Sequence, residues 1–186
     1  MPLFPTFVDI KGKDILIVGG GNVAQRKIEK LVDFNPNLYV VGKKINEQIK
    51  ELKKSYKNIT LYERAFEFSD IEDKDMVIVA VDDVNLQEEI YKECKKRNIP
   101  INSVDSPDYC TFIFPALIVR GDLVIGISTS GKVPGLSAKV RKHIEKCLPQ
   151  EIESLLEQLY QVRESTPKGE GRQRKILQLI EKLFED

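Results

Sequence analysis

The sequence is short of the residues from which most metal and nucleophile sites are built. Its 186 residues hold one histidine, His143, and three cysteines, Cys94, Cys110 and Cys147. No CxxC pair occurs, so a zinc ribbon, a thioredoxin-type couple and a disulfide framework are all poor readings. A Ser-His-Asp hydrolase would have to run through His143 alone. No metal site is expected. No apolar run approaches the roughly 20 residues of a bilayer span, and no basic, apolar leader opens the chain; both predict a cytoplasmic protein without a membrane partner. An excess of charge is also missing, because 29 Lys and Arg stand against 29 Asp and Glu. That balance counts against a whole-surface nucleic-acid binder. With 41% hydrophobic and 31% charged residues, the chain reads as globular and well solvated, one domain with an appendage or one and a half domains.

What is present is an alternation of strand and helix patterns. Apolar runs at 14–18, 37–41, 60–62, 75–81 and 100–104 predict strands. Segments 22–33, 45–56 and 86–97 have apolar residues near helical spacing between them. Alternation of this kind predicts βαβ units and a parallel, Rossmann-like sheet. After Asp105 the pattern changes. Residues 111–119 and 123–129 flank Arg120-Gly121-Asp122 and predict a hairpin. Helices are expected over 134–148, 151–162 and 172–184, with a mobile linker at 166–171. The fold class is therefore α/β: an N-terminal parallel sheet over 1–110, a hairpin-helix module over 111–148 and a small helical region over 149–186.

Three stretches point to chemistry. Gly19-Gly20-Gly21-Asn22-Val23-Ala24 follows the first strand and opens the first helix. Read as G-x-G-x-x-A, it offers Gly19 for a tight turn, Gly21 for close backbone approach and Ala24 for close helix packing. Amides at the helix start would face a pyrophosphate. The alternative is a tight βα turn with no nucleotide. The acid that commonly binds the adenosine ribose about 20 residues later is absent, because Val41-Gly42-Lys43-Lys44 stands there. Lys43 and Lys44 suit a 2'-phosphate and NADP, or are a solvated strand end.

Asn102-Ser103-Val104-Asp105 ends the last parallel strand, where ligands of open α/β sheets bind. Without a histidine nearby in sequence, Asp105 is the natural general base, or else a turn-former ahead of Ser106-Pro107. Val81-Asp82-Asp83 ends the preceding strand and suits backbone contact with the cofactor or capping of the next helix. The zero net charge also divides unevenly. Residues 1–116 hold 17 basic and 19 acidic side chains, 117–147 hold 6 and 2, and 149–186 hold 6 and 8. The basic middle contains Ser128-Thr129-Ser130-Gly131-Lys132, a hydroxyl-rich turn ahead of a helix start. Such a turn suits carboxylate or phosphate groups, or simply caps the helix. His143 reads as partly buried and structural, and Cys94 and Cys147 as small core residues. Cys110 has no evident activating cation.

Taken together, these stretches resemble the siroheme synthase family in its NAD-dependent precorrin-2 dehydrogenase part. The resemblance runs through Pro2-Leu3-Phe4, Leu16 to Lys27, Ala80-Val81-Asp82-Asp83 and Asn102-Ser103-Val104-Asp105. It continues through Phe112-Ile113-Phe114-Pro115-Ala116 and Ile127 to Pro134, and covers roughly residues 1–150. The tail after Pro149 is similar more loosely. The resemblance implies oxidation of precorrin-2 to sirohydrochlorin in siroheme biosynthesis, with NAD as acceptor and Asp105 as the essential aspartate. It implies a homodimer made by the hairpin-helix module, which also helps build the tetrapyrrole cleft. Expected cofactor contacts are Gly19, Gly21, Asn22, Val23, Ala24, Lys43, Lys44, Val81 and Asp82. Expected substrate contacts are Ser128, Thr129, Ser130, Gly131 and Lys132. Some family members also insert Fe2+ into sirohydrochlorin, so a bifunctional enzyme with lyase activity is one alternative. A non-catalytic NAD(H)-sensing module is another. The family commonly has two glycines where this chain has Ser130-Gly131, so that turn is expected to differ locally.

Overall fold

The computed structural model describes residues 3–184, and Pro2 lies outside the described residues. The chain divides into two compact units: Thr6–Ile113, and a second made of residues 3–5 and 114–184.

In the first unit the apolar runs become parallel strands. β1 (Asp14–Val18), β2 (Asn37–Val41), β3 (Ile59–Tyr62), β4 (Met76–Val79) and β5 (Ile101–Ser103) form one sheet ordered β3-β2-β1-β4-β5. Strands covered on both faces read as continuous apolar runs, and Ile15, Leu16, Ile17 and Val18 of β1 are all buried. The covering helices are α1 (Asn22–Leu31), α2 (Glu47–Ser55) and α3 (Val84–Arg97). The chain leaves β1 toward β2 and leaves β4 in the opposite direction toward β5. Right-handed crossovers of opposite sense put α1 and α2 on one face and α3 on the other. Leu16, Val18, Val77, Val79 and Ile101 pack against Ile90 and Cys94 of α3. Ile17, Ile78 and Asn102 are neighbours in register and point to the α1 face. The reversal makes a topological switch point at the carboxyl ends of β1 and β4.

Local chemistry sets where elements stop. α1 ends at Leu31 and tightens into a 3-10 turn over Val32–Phe34, closed by Asn35 at φ 54°. β4 ends at Val79, two residues short of the apolar run, where the Ala80 carbonyl lies against Gly19. β3 reaches β4 through a 3-10 turn at Phe68–Ile71, not an α-helix, with Glu67 and Asp70 capping each other's backbone.

In the second unit, β6 (Ala116–Arg120) and β7 (Leu123–Ile127) pair antiparallel around a two-residue turn at Gly121-Asp122. β6 begins at Ala116 and not at Thr111, for a reason inside the first unit. The Thr111 N–H donates to the Ile101 carbonyl at 2.8 Å, and its Oγ1 accepts from the Ile101 N–H at 2.9 Å. Residues 111–112 are thereby tied back to β5, and Pro115 has no N–H for a ladder. α4 (Pro134–Cys147) packs on both strands of the hairpin, and α5 (Ile152–Ser165) packs on α6 (Glu170–Phe184). α6 starts two residues earlier than its apolar pattern suggests. Arg172 in its first turn donates to the carbonyls of Arg163 at 3.1 Å and Thr166 at 3.5 Å, fastening both sides of a linker that shortens to 166–169.

The core assignments need two corrections. Cys94 is buried, but Cys147 is exposed, and so is His143. Both follow from the face that α4 presents. Its buried residue is Ser137, with Val140 and Ile144 half-buried, while Leu136 stays 51% exposed.

Candidate functional site

The three glycines after β1 are required by three different neighbours. Gly19 sits at φ 122°, and a β-carbon there would overlap the Ala80 carbonyl of β4's end. A β-carbon on Gly20 would overlap the Lys44 carbonyl and reach Ile45 Cα at 2.9 Å. A β-carbon on Gly21 would meet nothing within 4 Å. Gly21 is thus not demanded by the fold, and the space it leaves open faces the start of α1. No side chain caps that helix start, so its first backbone N–H groups are unpaired donors at the positive end of a helix. Ala24 is fully buried and lets α1 approach the sheet. Asn22 and Val23 complete the first turn, and the Asn22 side chain accepts from Asn46 Nδ2 at 3.3 Å. Open space beside Gly21, unpaired amides and the switch point fit a dinucleotide pyrophosphate.

The β2 turn is pressed against this loop. The Gly19 N–H donates to the Val41 carbonyl at 2.8 Å, and the Asn46 N–H donates to the Gly20 carbonyl at 2.9 Å. A β-carbon on Gly42 would stand 2.9 Å from the Gly20 nitrogen. Lys43 and Lys44 follow at once and are exposed. A carboxylate does reach the turn, from the end of β3: Glu63 Oε1 accepts from the Ile45 N–H at 3.2 Å, and Oε2 pairs with Lys50 at 3.6 Å. At the end of β4, capping falls to Asp83, whose Oδ1 accepts from the Leu86 N–H at 3.1 Å. The Val81 carbonyl accepts from Gln87 Nε2 at 2.6 Å, while Asp82 is exposed.

Asp105 lies just beyond β5, exposed, at φ 61°. That left-handed conformation is uncommon outside glycine, although Asp tolerates it better than most residues. The turn is held from behind by Cys110. Its Sγ accepts from the Ser103 N–H at 3.2 Å and lies 3.2 Å from the Ser103 carbonyl and 3.4 Å from the Ser106 carbonyl. Asn102 Nδ2 reaches the same sulfur at 3.5 Å and the Phe112 carbonyl at 3.0 Å. Burial pushes the Cys110 thiol pKa up, against the pull of the Ser103 amide, nearby Lys27 and Asn102. A raised pKa keeps the group a neutral thiol and suits it to bridging backbone groups rather than to nucleophilic attack.

In the second unit, the 128–132 turn spends its hydroxyl oxygens on backbone N–H groups, two of them local. Ser128 Oγ accepts from the Ser130 N–H at 2.9 Å, and Thr129 Oγ1 accepts from the Val133 N–H at 3.0 Å. Ser130 Oγ accepts from the Leu3 N–H at 3.0 Å. An accepting hydroxyl retains its own proton to donate. Ser130 and Gly131 are both left-handed, at φ 54° and 80°, so the serine itself adopts the conformation for which a glycine is the usual choice. Of the six cations over 117–147, Arg120 and Arg141 both pair with Glu145, at 3.3 and 2.6 Å. Lys132, Lys139, Lys142 and Lys146 are exposed.

The expected cofactor residues and Asp105 therefore all fall in the first unit, and Ser128 to Lys132 in the second. Sequence reasoning passed over Gly20, Glu63, Lys27 and the role of Cys110. The glycine in the x position of G-x-G was the available signal for Gly20; the others are long-range neighbours with no local signature. Among the described residues, no cluster of three or more His, Cys, Asp or Glu could hold a metal ion.

A doubly wound parallel sheet, a glycine turn at its switch point and an uncapped helix start define a dinucleotide-binding domain. The chain belongs to the family described as "Putative NAD(P)-binding", which matches residues 6–116, and residues 120–146 match "Sirohaem biosynthesis protein central". It is 38% identical over 157 residues to the siroheme synthase of Ruthia magnifica subsp. Calyptogena magnifica, covering 84% of this chain and 33% of that protein. It is 32% identical over 184 residues to the siroheme synthase of Nitrosomonas europaea, covering 99% of this chain and 38% of that protein. The chain thus spans about a third of the length of these relatives. Its fold is similar to that of SirC, a precorrin-2 dehydrogenase, with a TM-score of 0.78 at 22% identity over 98% of this chain and 90% of that one.

Proposed function

We propose that this chain is an NAD-dependent dehydrogenase that oxidises precorrin-2 to sirohydrochlorin in siroheme biosynthesis. The single observation that carries the reading is Asp105, an exposed carboxylate held in a left-handed turn at the end of the parallel strand next to the switch point. In this reading Gly19, Gly21, Asn22, Val23 and Ala24 hold the cofactor's pyrophosphate through backbone amides. Lys43 and Lys44 border its adenosine end, and Val81 and Asp82 border its path at the end of β4. The bound nicotinamide supplies a hydride acceptor. Asp105 takes the proton from the substrate carbon as the neighbouring hydride leaves, so two electrons and two hydrogens depart together and one carboxylate is enough base. Ser128, Thr129, Ser130, Gly131 and Lys132 are assigned to the substrate's carboxylates, through retained hydroxyl protons and a nearby exposed ammonium. The four exposed lysines Lys132, Lys139, Lys142 and Lys146 suit a polyanionic macrocycle.

The test is anaerobic incubation with precorrin-2 and NAD. NADH formation matched by sirohydrochlorin is expected, and its absence with both NAD and NADP would sink the reading. Addition of Fe2+ as substrate examines the alternative of a bifunctional enzyme with lyase activity. Insertion no faster than in buffer would reject that alternative.

We further place the protein in the cytoplasm as a homodimer. Among the described residues no helix is long and apolar enough to cross a membrane, and three free thiols suit a reducing compartment. Val133, just before α4, and Leu136 on its first turn are each 51% exposed, and Leu3 and Phe4 of the same unit are 52% and 90% exposed. An isolated two-stranded hairpin is marginal alone. A second copy covering these groups accounts for both facts.

A further inference from the structure

One side chain joins α1 and α2 at the carboxyl end of the sheet, and the reading above gives it no role. Asn46 stands directly before α2, and its Oδ1 accepts from the Ile49 N–H at 2.9 Å, capping that helix. Its backbone N–H donates to the Gly20 carbonyl at 2.9 Å, in the middle of the glycine turn. Its Nδ2 crosses to α1, where it donates to Gln25 Oε1 at 3.0 Å and to Asn22 Oδ1 at 3.3 Å. A cap needs only the first of these bonds, and serine supplies it as well as asparagine. The reach to α1 is what asparagine adds.

These bonds give three side-chain amides one direction. The Ile49 N–H can only donate, so Asn46 must turn its oxygen to α2 and its nitrogen to α1. Gln25 and Asn22 then face Asn46 with their oxygens. Gln25 places its own nitrogen on Glu29 Oε1 at 2.8 Å. Asn22 is exposed on the first turn of α1, and among the described residues no acceptor takes its Nδ2 hydrogens. An unrestrained asparagine offers its oxygen or its nitrogen with equal ease. This one is held with its oxygen committed and its donors left over. They belong to the same turn of helix as the unpaired backbone amides and follow directly on Gly21, whose missing side chain leaves open space. A phosphoryl oxygen is the acceptor that suits such a set of donors.

We propose that Asn46 is a positioning residue for the cofactor: from the cap of α2 it fixes the Asn22 amide so that its N–H groups join the backbone amides in holding the pyrophosphate. The proposal deepens the cofactor part of the dehydrogenase reading and rests on it. Asn22 is the group in contact with the cofactor, and Asn46 acts through it.

The experiment is a titration of the whole protein with NAD and with ADP-ribose, which keeps the pyrophosphate and lacks the nicotinamide. Asn46→Ser keeps the cap and the N–H to Gly20 but cannot reach α1. Its urea midpoint should stay close to wild type, while the Kd for both ligands rises about tenfold, the scale of one hydrogen bond to a charged group. Asn22→Ala should cost about the same. In the Asn22→Ala background, Asn46→Ser should cost nothing further, because the two residues act as one unit. The side-chain amide signal of Asn22 in a 15N spectrum, assigned by its loss in Asn22→Ala, should shift when NAD is added to wild type. Unchanged affinity in Asn46→Ser, losses that multiply in the double variant, or an Asn22 signal indifferent to NAD would overturn the positioning role alone. A wild type with no affinity for NAD or ADP-ribose would overturn the role and the cofactor assignment together. The expected binding pattern supports the role even if precorrin-2 is left unoxidised, an outcome that would sink the dehydrogenase reading by itself.

Discussion

Replacing Gly19 and replacing Gly21 should fail in different ways. Gly19→Ala must place a β-carbon on the Ala80 carbonyl at φ 122°, so it should destabilise the fold by roughly 1–3 kcal/mol or more. Chemical denaturation would register this as a lower midpoint. Gly21→Val meets only open space within the protein. It should leave the midpoint nearly unchanged and abolish NAD binding in a titration; normal affinity there would remove the pyrophosphate assignment. The cysteines sort by environment as well. Burial raises the Cys94 pKa to about 12, so in the folded protein it should resist alkylation that rapidly labels exposed Cys147. For Lys27, burial lowers the folded pKa to about 8, below the ordinary lysine value of 10.5. The folded state therefore binds fewer protons than the unfolded one between about 8 and 10.5, and stability should rise with pH across that window. Urea midpoints at the two ends should separate wild type from Lys27→Met in that direction. At this scale, motif residues such as Gly19 and Ala24 were legible in the sequence. Lys27 and Glu63 were not, because what distinguishes them comes from strands remote in the chain.

The strands were legible because burial on both faces writes itself as uninterrupted apolar runs, as Ile15 to Val18 illustrate. Element ends were less so. β6 starts five residues later than its apolar pattern, because Thr111 is bonded to Ile101 across ten residues. Thr111→Val keeps the shape and loses the side-chain acceptor for the Ile101 N–H, so it should cost about 1–3 kcal/mol and loosen the Asp105 turn as well. On α4, the pattern Leu136, Val140, Ile144 suggested a buried stripe, yet the helix is rotated so that Ser137 is covered and Leu136 is not. Apolar spacing identifies an amphipathic helix but does not say whether its own chain or a second copy covers the apolar side. Leu136→Lys should therefore leave thermal stability nearly unchanged at low protein concentration while shifting sedimentation from dimer to monomer. Unaltered sedimentation would remove α4 from the interface.

Across the whole chain, zero net charge conceals a division. The 117–147 segment is basic, and its four exposed lysines belong to the second unit. The one histidine, His143, is exposed. The proposed dehydrogenase asks of the first unit only a cofactor site at the glycine turn and one carboxylate, Asp105. The most direct measurement is single-turnover oxidation of precorrin-2 under anaerobic conditions by wild type and Asp105→Asn, each saturated with NAD. Wild type should form NADH and sirohydrochlorin in equal amounts. Asp105→Asn should bind NAD equally well and react about a hundredfold or more slowly, the usual scale for a lost general base. Equal rates in the two proteins would contradict the account.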